Sequence, residues 1–280
     1  MTRGVLVITG ASRGIGAATA RLAGAAGYDV LVNFVSNADA ATSVVAAIEA
    51  AGGSAFSVQA DASSKAGIAA IFAAADARGT LAGLVNNAGV VDARSRVDEM
   101  DEARLTRMMG TNIVGPMLCA GEAVRRLSTL HGGAGGAIVN VSSVAARLGS
   151  PAEYVDYAAS KAAIDTFTLG LAREVATEGI RVNAVRPGII DTEIRASGGQ
   201  PDRVQRVRGM VPMLREGKAD EVARAILWLL SDEASYTTGA LLDVGGQRRE
   251  DLGRHGETRE AGITTVKGPA SPRKLAELTS

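Results

Sequence analysis

Two side chains in the stretch "YAASK" have the types and the spacing for acid–base chemistry. Tyr157 precedes Lys161 by four residues, so a helix would place the phenol and the ammonium on one face. A phenol is a weak acid with an ordinary pKa of about 10, and a neighbouring ammonium favours its ionised form. Such a pair suits proton donation to a nascent alkoxide, or proton removal from an alcohol. Tyr154 lacks this partner, because Ala158 stands four positions beyond it, and is expected to pack or to line a substrate site.

The stretch "TGASRGIG" near the N-terminus fits two different chemistries. Its core, Gly10 to Gly14, matches G-x-S-x-G, which places a nucleophilic serine on a sharp turn in α/β-hydrolases. The same glycines could instead form a phosphate-binding turn at a helix N-terminus, or a turn in which they are only structural. A hydrolase needs a histidine base, yet His131 lies in a glycine-rich link and His255 in a polar C-terminal segment. The phosphate-binding interpretation is therefore favoured.

Composition excludes several other classes of function. The 280 residues carry 30 Lys+Arg against 30 Asp+Glu, so no net charge steers the protein toward nucleic acid or an anionic membrane. The single cysteine, Cys119, allows no internal disulfide and no thiolate metal site, and its apolar neighbours predict a small core residue. No apolar run is long enough to span a bilayer, and a cytoplasmic protein without bound metal is expected.

Short aliphatic runs alternate along the chain with longer alanine-rich amphipathic segments. The runs are too continuous for half-solvated strands and indicate strands covered on both faces, as in a parallel sheet. The alternation predicts one α/β domain: a doubly wound, Rossmann-like sheet of seven parallel strands with helices on both faces. The expected strands are residues 4–9, 29–34, 54–60, 81–87, 136–143, 180–187 and 239–246. The expected helices are residues 14–26, 38–51, 64–77, 101–130, 154–178 and 219–231.

Two segments depart from this rhythm. Residues 191–217 form a long connection that is typical of a substrate lid, within a domain that spans residues 1–246. Residues 247–280 are polar and without periodicity, and are expected to be mostly disordered. The lid carries arginines that could meet an anionic substrate or simply solvate a helix face. These are Arg195, Arg203, Arg206 and Arg208.

Four groups of residues, in the right order and at the expected strand ends, resemble the motifs of the short-chain dehydrogenase/reductase family. The motifs are T-G-x-x-x-G-x-G, N-N-A-G, a serine ahead of Y-x-x-x-K, and a proline-glycine pair with a threonine soon after. The matching residues are Thr9, Gly10, Gly14 and Gly16; Asn86, Asn87, Ala88 and Gly89; Ser143, Tyr157 and Lys161; and Pro187, Gly188 and Thr192.

The resemblance implies a catalytic set of Asn112, Ser143, Tyr157 and Lys161. Tyr157 is the general acid or base, and by resemblance Lys161 also binds the nicotinamide ribose. Ser143 would polarise the substrate carbonyl, while Ser142, on the other side of the strand, is expected to be structural. The alternative for Ser143 is a loop serine that satisfies backbone groups.

Asn112 is the family's position for holding a water in the proton relay. Pro116, four residues later, has no N–H, so the carbonyl of Asn112 should lose its helical partner and become free to bind that water. Continuous α-helical bonding through residues 112–116 would contradict this hypothesis. The alternative is a solvent-facing asparagine at an ordinary proline kink.

The second expected strand favours NADP(H) over NAD(H). It ends "VLVNFVSN" without the carboxylate that usually binds the ribose of NAD, and Asp29 stands at its other end. Arg13 and Ser36 are placed to meet a 2′-phosphate. By resemblance, Asp61 contacts the adenine and Ile190 lies near the carboxamide. The full expected cofactor set is Gly10, Ser12, Arg13, Gly14, Ile15, Gly16, Ser36, Asp61, Ala62, Asn87, Ala88, Gly89, Tyr157, Lys161, Pro187, Gly188, Ile190 and Thr192.

These features predict an NAD(P)-dependent oxidoreductase, a carbonyl reductase that uses NADPH on a small ketone or aldehyde or oxidises the matching secondary alcohol. The resemblance is to bacterial 3-oxoacyl-thioester reductases and sugar dehydrogenases. It also implies a homodimer or homotetramer paired through the helices at residues 101–130 and 154–178. The alternative is a non-catalytic dinucleotide-sensing or scaffolding protein that keeps the fold.

Overall fold

The computed structural model describes residues 3–192 and 211–246, and a seven-stranded parallel sheet is its central feature. The strands are β1 Val5–Ile8, β2 Asp29–Phe34, β3 Ser54–Gln59, β4 Leu81–Asn86, β5 Gly136–Val141, β6 Ile180–Pro187, β7 Ile190–Asp191, β8 Gly217–Lys218 and β9 Leu241–Val244. Strand order in the large sheet is β3-β2-β1-β4-β5-β6-β9, and every neighbouring pair is parallel. β7 and β8 form a separate parallel pair.

Helices cover both faces of the large sheet, which confirms the doubly wound architecture. The expected helix at 101–130 is interrupted by a π-helical turn at Gly110–Val114. None of the helices in the described parts of the chain is long and apolar enough to cross a membrane, and the cytoplasmic location stays a prediction. The helices are α1 Gly14–Ala25, α2 Ala38–Ala50, α3 Lys65–Arg78, α4 Glu102–Met109, α5 Gly115–Leu127, α6 Ala145–Leu148, α7 Val155–Glu174 and α8 Ala219–Leu230.

Side chains of the central strands alternate between two separate cores. Leu6 and Ile8 of β1 pack with α1, α2 and α8, whereas Val5 and Val7 pack with α3, α5 and α7. Both faces of β1 are therefore buried, as the continuous aliphatic run predicted. Cys119 is buried in the second core, and burial raises the pKa of its thiol to about 12. The thiol is thus protonated at neutral pH and serves as a small core side chain.

The expectation that every run is covered on both faces is wrong for the two edge strands of the sheet, β3 and β9. Ser57 and Gln59 of β3 are exposed, and so is Asp243 of β9. The amide nitrogen of Gln59 donates to the carbonyl of Val35, just beyond β2. An edge strand has a neighbour on one side only, so one of its faces can remain polar.

Strand order places a crevice between β1 and β4. The chain leaves β1 for β2 on one side of the sheet and returns to add β4 on the other, so the connections diverge there. In open α/β sheets, ligands bind at the carboxyl ends of the strands beside such a switch point. The turn after β1 and the segment after β4 should therefore face each other across a binding site.

Asn33, fully buried in β2, fixes the first of these turns. Its Oδ1 accepts the backbone N–H of Gly10 at 3.2 Å, and its Nδ2 donates to the carbonyls of Val58 and Ala60 at 3.3 and 2.9 Å. A single amide thus joins the turn after β1 to the end of β3. All three backbone groups would lose a partner if the amide were removed.

The Asn33→Ala variant should lose about 2 to 4 kcal/mol of unfolding free energy, because buried polar groups without partners are costly. Asn37→Ala is the matched control, since the exposed Asn37 side chain only caps the N-terminus of α2 by accepting the N–H of Ala40. That variant should lose about 1 kcal/mol. Urea denaturation of both proteins measures the difference, and equal losses would contradict the role given to Asn33.

Candidate functional site

A cavity of about 700 Å³ opens at the carboxyl ends of the strands, at the predicted switch point. All residues expected at the site line this cavity except Gly16, Ala62 and Asn112. The lining residues are Gly10, Ser12, Arg13, Gly14, Ile15, Phe34, Val35, Ser36, Asn37, Asp61, Ser63, Asn87, Ala88, Gly89, Val90, Arg107, Thr111, Val141, Ser142, Ser143, Tyr157, Lys161, Pro187, Gly188, Ile190 and Thr192.

The three exceptions lie behind the cavity wall. Gly16 is buried at the start of α1, where a Cβ would lie 2.5 Å from both the Asn87 side chain and the Gly10 carbonyl. Ala62 is buried, and its carbonyl would lie 2.4 Å from a Cβ added at Gly115. Their contribution is close packing of the backbone, because glycine allows approaches that a side chain would block.

The turn after β1 is locked to the segment after β4. Thr9 Oγ1 accepts the backbone N–H groups of Asn87 and Ala88, both at 3.0 Å. The Asn87 side chain donates back to the carbonyls of Thr9 and Gly10, both at 2.9 Å. A Cβ on Gly10 would lie 3.0 Å from the Ala88 Cα, and Gly10 has a φ of +61°. The N-N-A-G segment therefore holds the glycine turn open toward the cavity.

The N-terminus of α1 has the features of an anion site. The N-cap residue Arg13 is exposed, and its side chain does not cap the helix. No acidic residue lies in the first turn, and Gly14, with φ +55°, opens the helix without a side chain. Free N–H groups and the helix dipole favour a phosphate at such a position. The glycine turn can thus hold a dinucleotide diphosphate.

Lys161 is fully buried on α7 beside Tyr157. Its ammonium donates to the carbonyl of Val141 at 2.8 Å and lies 5.7 Å from the centre of the Tyr157 ring. Removal from water lowers the pKa of Lys161 to about 8, and the charge of Asp165 opposes that shift. The helix therefore brings together, in the cavity wall, the phenol and the ammonium that the spacing predicted.

Two serines follow β5 and differ in role. Ser142 is buried, and its hydroxyl donates to the carbonyl of Lys161 at 3.2 Å, a structural contact as expected. Ser143 lines the cavity, and its Oγ accepts the N–H of Ala145 at 3.1 Å. That bond orients the Ser143 oxygen and uses it only as an acceptor, so the hydroxyl proton can be donated to a ligand.

Asn112 lies in the π-helical turn, fully buried. Its side chain exchanges two hydrogen bonds with the backbone of Val90, at 2.8 and 2.9 Å, and therefore fixes the segment that follows Gly89. In this turn the N–H of Gly115 donates to the carbonyl of Gly110, five residues earlier rather than four. The α-helical pattern is therefore interrupted, as the hypothesis for Asn112 requires. The alternative of a solvent-facing side chain is wrong, because that side chain is needed to anchor the cavity wall.

The end of the cavity beside β2 carries no carboxylate on that strand. Phe34, Ser36 and Asn37 line it, and Arg13 lies across from them in the glycine turn. Asp61 is the acidic residue of the described lining, and its Oδ1 accepts the N–H and hydroxyl of Ser63. Asp29 lies at the opposite end of β2 and pairs with Arg78 at 3.0 Å, as its position in the run predicted.

Several lining residues were not expected from the sequence. Val35, Asn37 and Ser63 adjoin predicted positions, and an extended window around each motif would have found them. Arg107 and Thr111 lie on α4 and the π-helical turn, and Arg107 forms an ion pair with Asp92. No motif marks them, because only packing of α4 against the crevice brings them there. The remaining unpredicted lining residues are Phe34, Val90, Val141 and Ser142.

The two ends of the expected lid lie side by side. Ile190 pairs with Gly217 and Asp191 with Lys218 across β7 and β8. A connection that begins and ends at one point beside the cavity suits the role expected for residues 191–217. Residues 193–210 and 247–280 lie outside the described structure, and with them the predictions for the tail and for Arg195, Arg203, Arg206 and Arg208.

A Lys161→Met variant should reveal the burial of the ammonium through pH. The pKa of Lys161 is about 8 in the folded protein and near its ordinary value of 10.5 when unfolded, so between these values mainly the unfolded state is protonated. Wild-type stability should therefore rise relative to the variant by about 2 to 3 kcal/mol from pH 8 to 10.5. Urea denaturation without cofactor measures this gap. Lys65→Met, at an exposed site, should show no such change, and a flat gap for Lys161→Met would contradict the burial.

Comparisons with known proteins cover most of the chain. A family model described as Enoyl-(Acyl carrier protein) reductase matches residues 10–246. The chain is 55% identical over 243 residues to "Uncharacterized oxidoreductase YgfF" of Escherichia coli (strain K12), covering 86% of this chain and 98% of that protein. It is 37% identical over 247 residues to Glucose 1-dehydrogenase 2 of Bacillus subtilis (strain 168), covering 88% and 95%.

A solved short-chain dehydrogenase/reductase from Serratia marcescens BCRC 10948 has a TM-score of 0.81 and 31% sequence identity, covering 88% of this chain and 97% of that one. The relatives are named as oxidoreductases and dehydrogenases, which argues against the alternative of a non-catalytic protein. The resemblance stated from the motifs is confirmed: the chain belongs to the short-chain dehydrogenase/reductase family, whose NAD(P)-dependent enzymes act on CH–OH and C=O groups.

Proposed function

We propose that the protein is an NADPH-dependent carbonyl reductase that also oxidises the matching secondary alcohol, with Tyr157 as general acid and base. One observation carries this proposal. Tyr157, Lys161 and Ser143 line the same cavity as the glycine turn. A carbonyl substrate and a dinucleotide bound together in this cavity would therefore meet the proton donor and the phosphate-binding turn, as reduction of a carbonyl requires.

The described residues fit a dinucleotide. Gly10 and Gly14 both have positive φ angles at the N-terminus of α1, where backbone N–H groups and the helix dipole suit a diphosphate. Asn87 and Gly89 extend the cavity wall toward Lys161. When bound, the nicotinamide supplies a hydride to a carbonyl carbon or accepts one from an alcohol carbon.

The protein's own residues manage the proton. The Ser143 hydroxyl donates to the substrate oxygen and polarises the carbonyl, because its oxygen already accepts the N–H of Ala145. Tyr157 then transfers its phenolic proton to that oxygen as charge develops. The Lys161 ammonium lowers the pKa of the phenol by favouring the phenolate, and Ser142 and Val141 hold Lys161 in place. We assign to the backbone carbonyl of Asn112, in the interrupted helix, the binding of the water that returns a proton to Lys161.

Arg13 supports the choice of NADPH. It is exposed and lines the same cavity as Ser36 and Asn37, which follow β2. A guanidinium and two hydrogen-bonding side chains suit a 2′-phosphate, whereas a ribose 2′-hydroxyl is usually bound by a carboxylate that β2 does not provide. Charge complementarity at this end of the cavity therefore favours the phosphorylated cofactor.

Exposed apolar side chains on the helices support a homo-oligomer. Leu105 of α4, Val114 of the π-helical turn and Leu118 of α5 are 38%, 47% and 45% exposed, respectively. Large apolar side chains grouped on neighbouring helical segments favour burial against another copy. A homodimer or homotetramer formed through α4, α5 and α7 is the proposed assembly.

The Tyr157→Phe variant tests the assignment of the proton donor. With NADPH and a panel of acyl thioesters, sugars and small ketones, the wild type should oxidise the cofactor, and the variant should lose about 10²- to 10⁴-fold in kcat while still binding NADPH. Tyr154→Phe is the matched control, because Tyr154 is buried outside the cavity lining. A variant at Tyr157 that keeps wild-type turnover would rule out the phenol as the acid.

An Arg13→Ala variant tests the cofactor preference. The KM for NADPH should rise about tenfold and that for NADH less than twofold, since a charge-assisted contact is lost only with the phosphate. Arg21→Ala is the control, because Arg21 is exposed on the same helix but does not line the cavity. Equal losses with both cofactors, or a wild-type preference for NADH, would overturn this part of the proposal.

A further inference from the structure

Asp165 lies one helical turn beyond Lys161 on α7, and its carboxylate is buried. Oδ2 accepts a hydrogen bond from the guanidinium of Arg186 at 2.9 Å. The other oxygen, Oδ1, is buried and has no hydrogen-bond partner within the described residues. Positions four residues apart on a helix lie on one face, so this carboxylate is a near neighbour of the Lys161 side chain.

Arg186 continues this ion pair into a chain of alternating charges. Its guanidinium lies 2.9 Å from Asp165 and 3.5 Å from Asp243 of β9. Asp243 in turn pairs at 2.7 Å with Arg147 of α6, the short helix after Ser143. The inner pair is largely removed from water, with side chains 14% and 9% exposed, whereas Arg147 is 48% exposed. The chain joins the helix of Lys161 to the segment of Ser143.

A buried ion pair of this kind is weak evidence for a stabilising role. Removing both charges from water costs free energy that their attraction often only balances, and apolar replacements are frequently as stable. Here the inner carboxylate also keeps one oxygen without a partner, which adds to the cost. The position of the pair, one turn from a fully buried lysine, calls for another explanation.

We propose that Asp165 is a positioning residue for the reaction: its buried carboxylate, one helical turn from Lys161, is the counter-charge of the ammonium that lies beside Tyr157. The inference rests on the proposed function, because it assigns Asp165 to the control of the proton donor named there. Asp165 itself does not line the cavity and acts through Lys161.

The signs of the charges support this assignment. Burial favours the neutral amine of Lys161 and lowers its pKa, and the negative charge of Asp165 is the opposing influence. Without that charge the lysine would lose its proton at lower pH, and the phenolate of Tyr157 would lose its stabilising neighbour. Arg186 sets the strength of the effect, because it cancels part of the field of Asp165.

Among the described residues, the other charged groups around this part of α7 are in ion pairs or lie further from Lys161. Asp156, next to Tyr157, is bonded to Arg104 of α4 at 2.7 Å. The π-helical turn and β5 contribute Asn112 and the Val141 carbonyl, which do not titrate. The titratable or charged groups on α7, α4, α6, β6 and β9 that face this region are Tyr157, Lys161, Asp165, Asp156, Arg104, Arg147, Arg186 and Asp243.

Two variants should move the titration of Tyr157 in opposite directions. Asp165→Asn removes the counter-charge, so the phenol should ionise about one pH unit higher than in the wild type. Arg186→Gln leaves the carboxylate unpaired and more effective on Lys161, so the phenol should ionise at lower pH. Ultraviolet absorbance of the phenolate, with the Tyr157→Phe titration subtracted, measures both shifts in the free protein. The pH profile of alcohol oxidation should shift in the same directions.

Asp243→Asn and Asp165→Glu are the matched controls. Asp243 contacts the same arginine, but Asp165 is the carboxylate whose charge acts on Lys161, so loss of Asp243 should lower stability and shift the titration by no more than about 0.2 pH units. Asp165→Glu retains the charge and should retain a titration close to that of the wild type. If Asp165→Asn does not fold, Arg186→Gln still tests the proposal. It keeps the Asp165 carboxylate and should lower the pH at which the phenol ionises.

Two outcomes would overturn the proposal and leave Asp165 a structural residue. One is a shift of the phenol titration in the same direction for Asp165→Asn and Arg186→Gln. The other is unchanged titrations with lowered melting temperatures. The titration needs neither substrate nor turnover. A protein that reduces no carbonyl but shows the opposite shifts would therefore refute the proposed function and still support the control of Lys161 by Asp165.

Discussion

The burial of the Lys161 ammonium is the constraint on which the site depends. A charge removed from water must be compensated by nearby dipoles or charges, and the fold supplies a carbonyl at the end of β5 and a carboxylate on the same helix. The carbonyl reaches Lys161 because β5 packs against α7. The carboxylate reaches it because Asp165 lies one turn further along the same helix. The protonation state of Lys161 therefore depends on the packing of β5 against α7. Through it, the proposed acid–base pair depends on the core.

The second constraint is the close approach of backbone segments around the crevice. The turn after β1, the segment after β4 and the start of α1 meet at distances that leave no room for a Cβ at Gly16 and would crowd one at Gly10. Polar side chains hold these segments in register, with Thr9 and Asn87 on one side and Asn33 on the other. The cavity is thus a preformed feature of the backbone, and a ligand need not pay to organise it.

The proposed function divides the cavity into two parts. We assign anion binding to the glycine turn, with the positive end of α1 and the exposed Arg13. We assign proton transfer to Tyr157, Lys161 and Ser143, which lie on α7 and just after β5. The buried side chain of Asn112 anchors Val90 in the wall of the cavity. β7 and β8, at the two ends of the segment expected to be a lid, pair with each other.

Much of this protein is determined by local sequence. The alternation of aliphatic runs and amphipathic segments predicted the seven strands, their parallel arrangement and most helix boundaries, because burial on both faces demands that pattern. The glycines, the Tyr157–Lys161 spacing and Pro116 carry their chemistry in residue type and separation, so they predicted the turn, the acid–base pair and the break in the helix at Asn112. Only tertiary structure could decide the rest. The exposure of β3 follows from its place at the sheet edge, and Arg107 reaches the cavity through packing of α4. The pairing of Arg186 with Asp165 and Asp243 joins residues up to 78 positions apart in the chain. No local pattern encodes such contacts, because they arise where the folded strands and helices bring separate charges into one desolvated space.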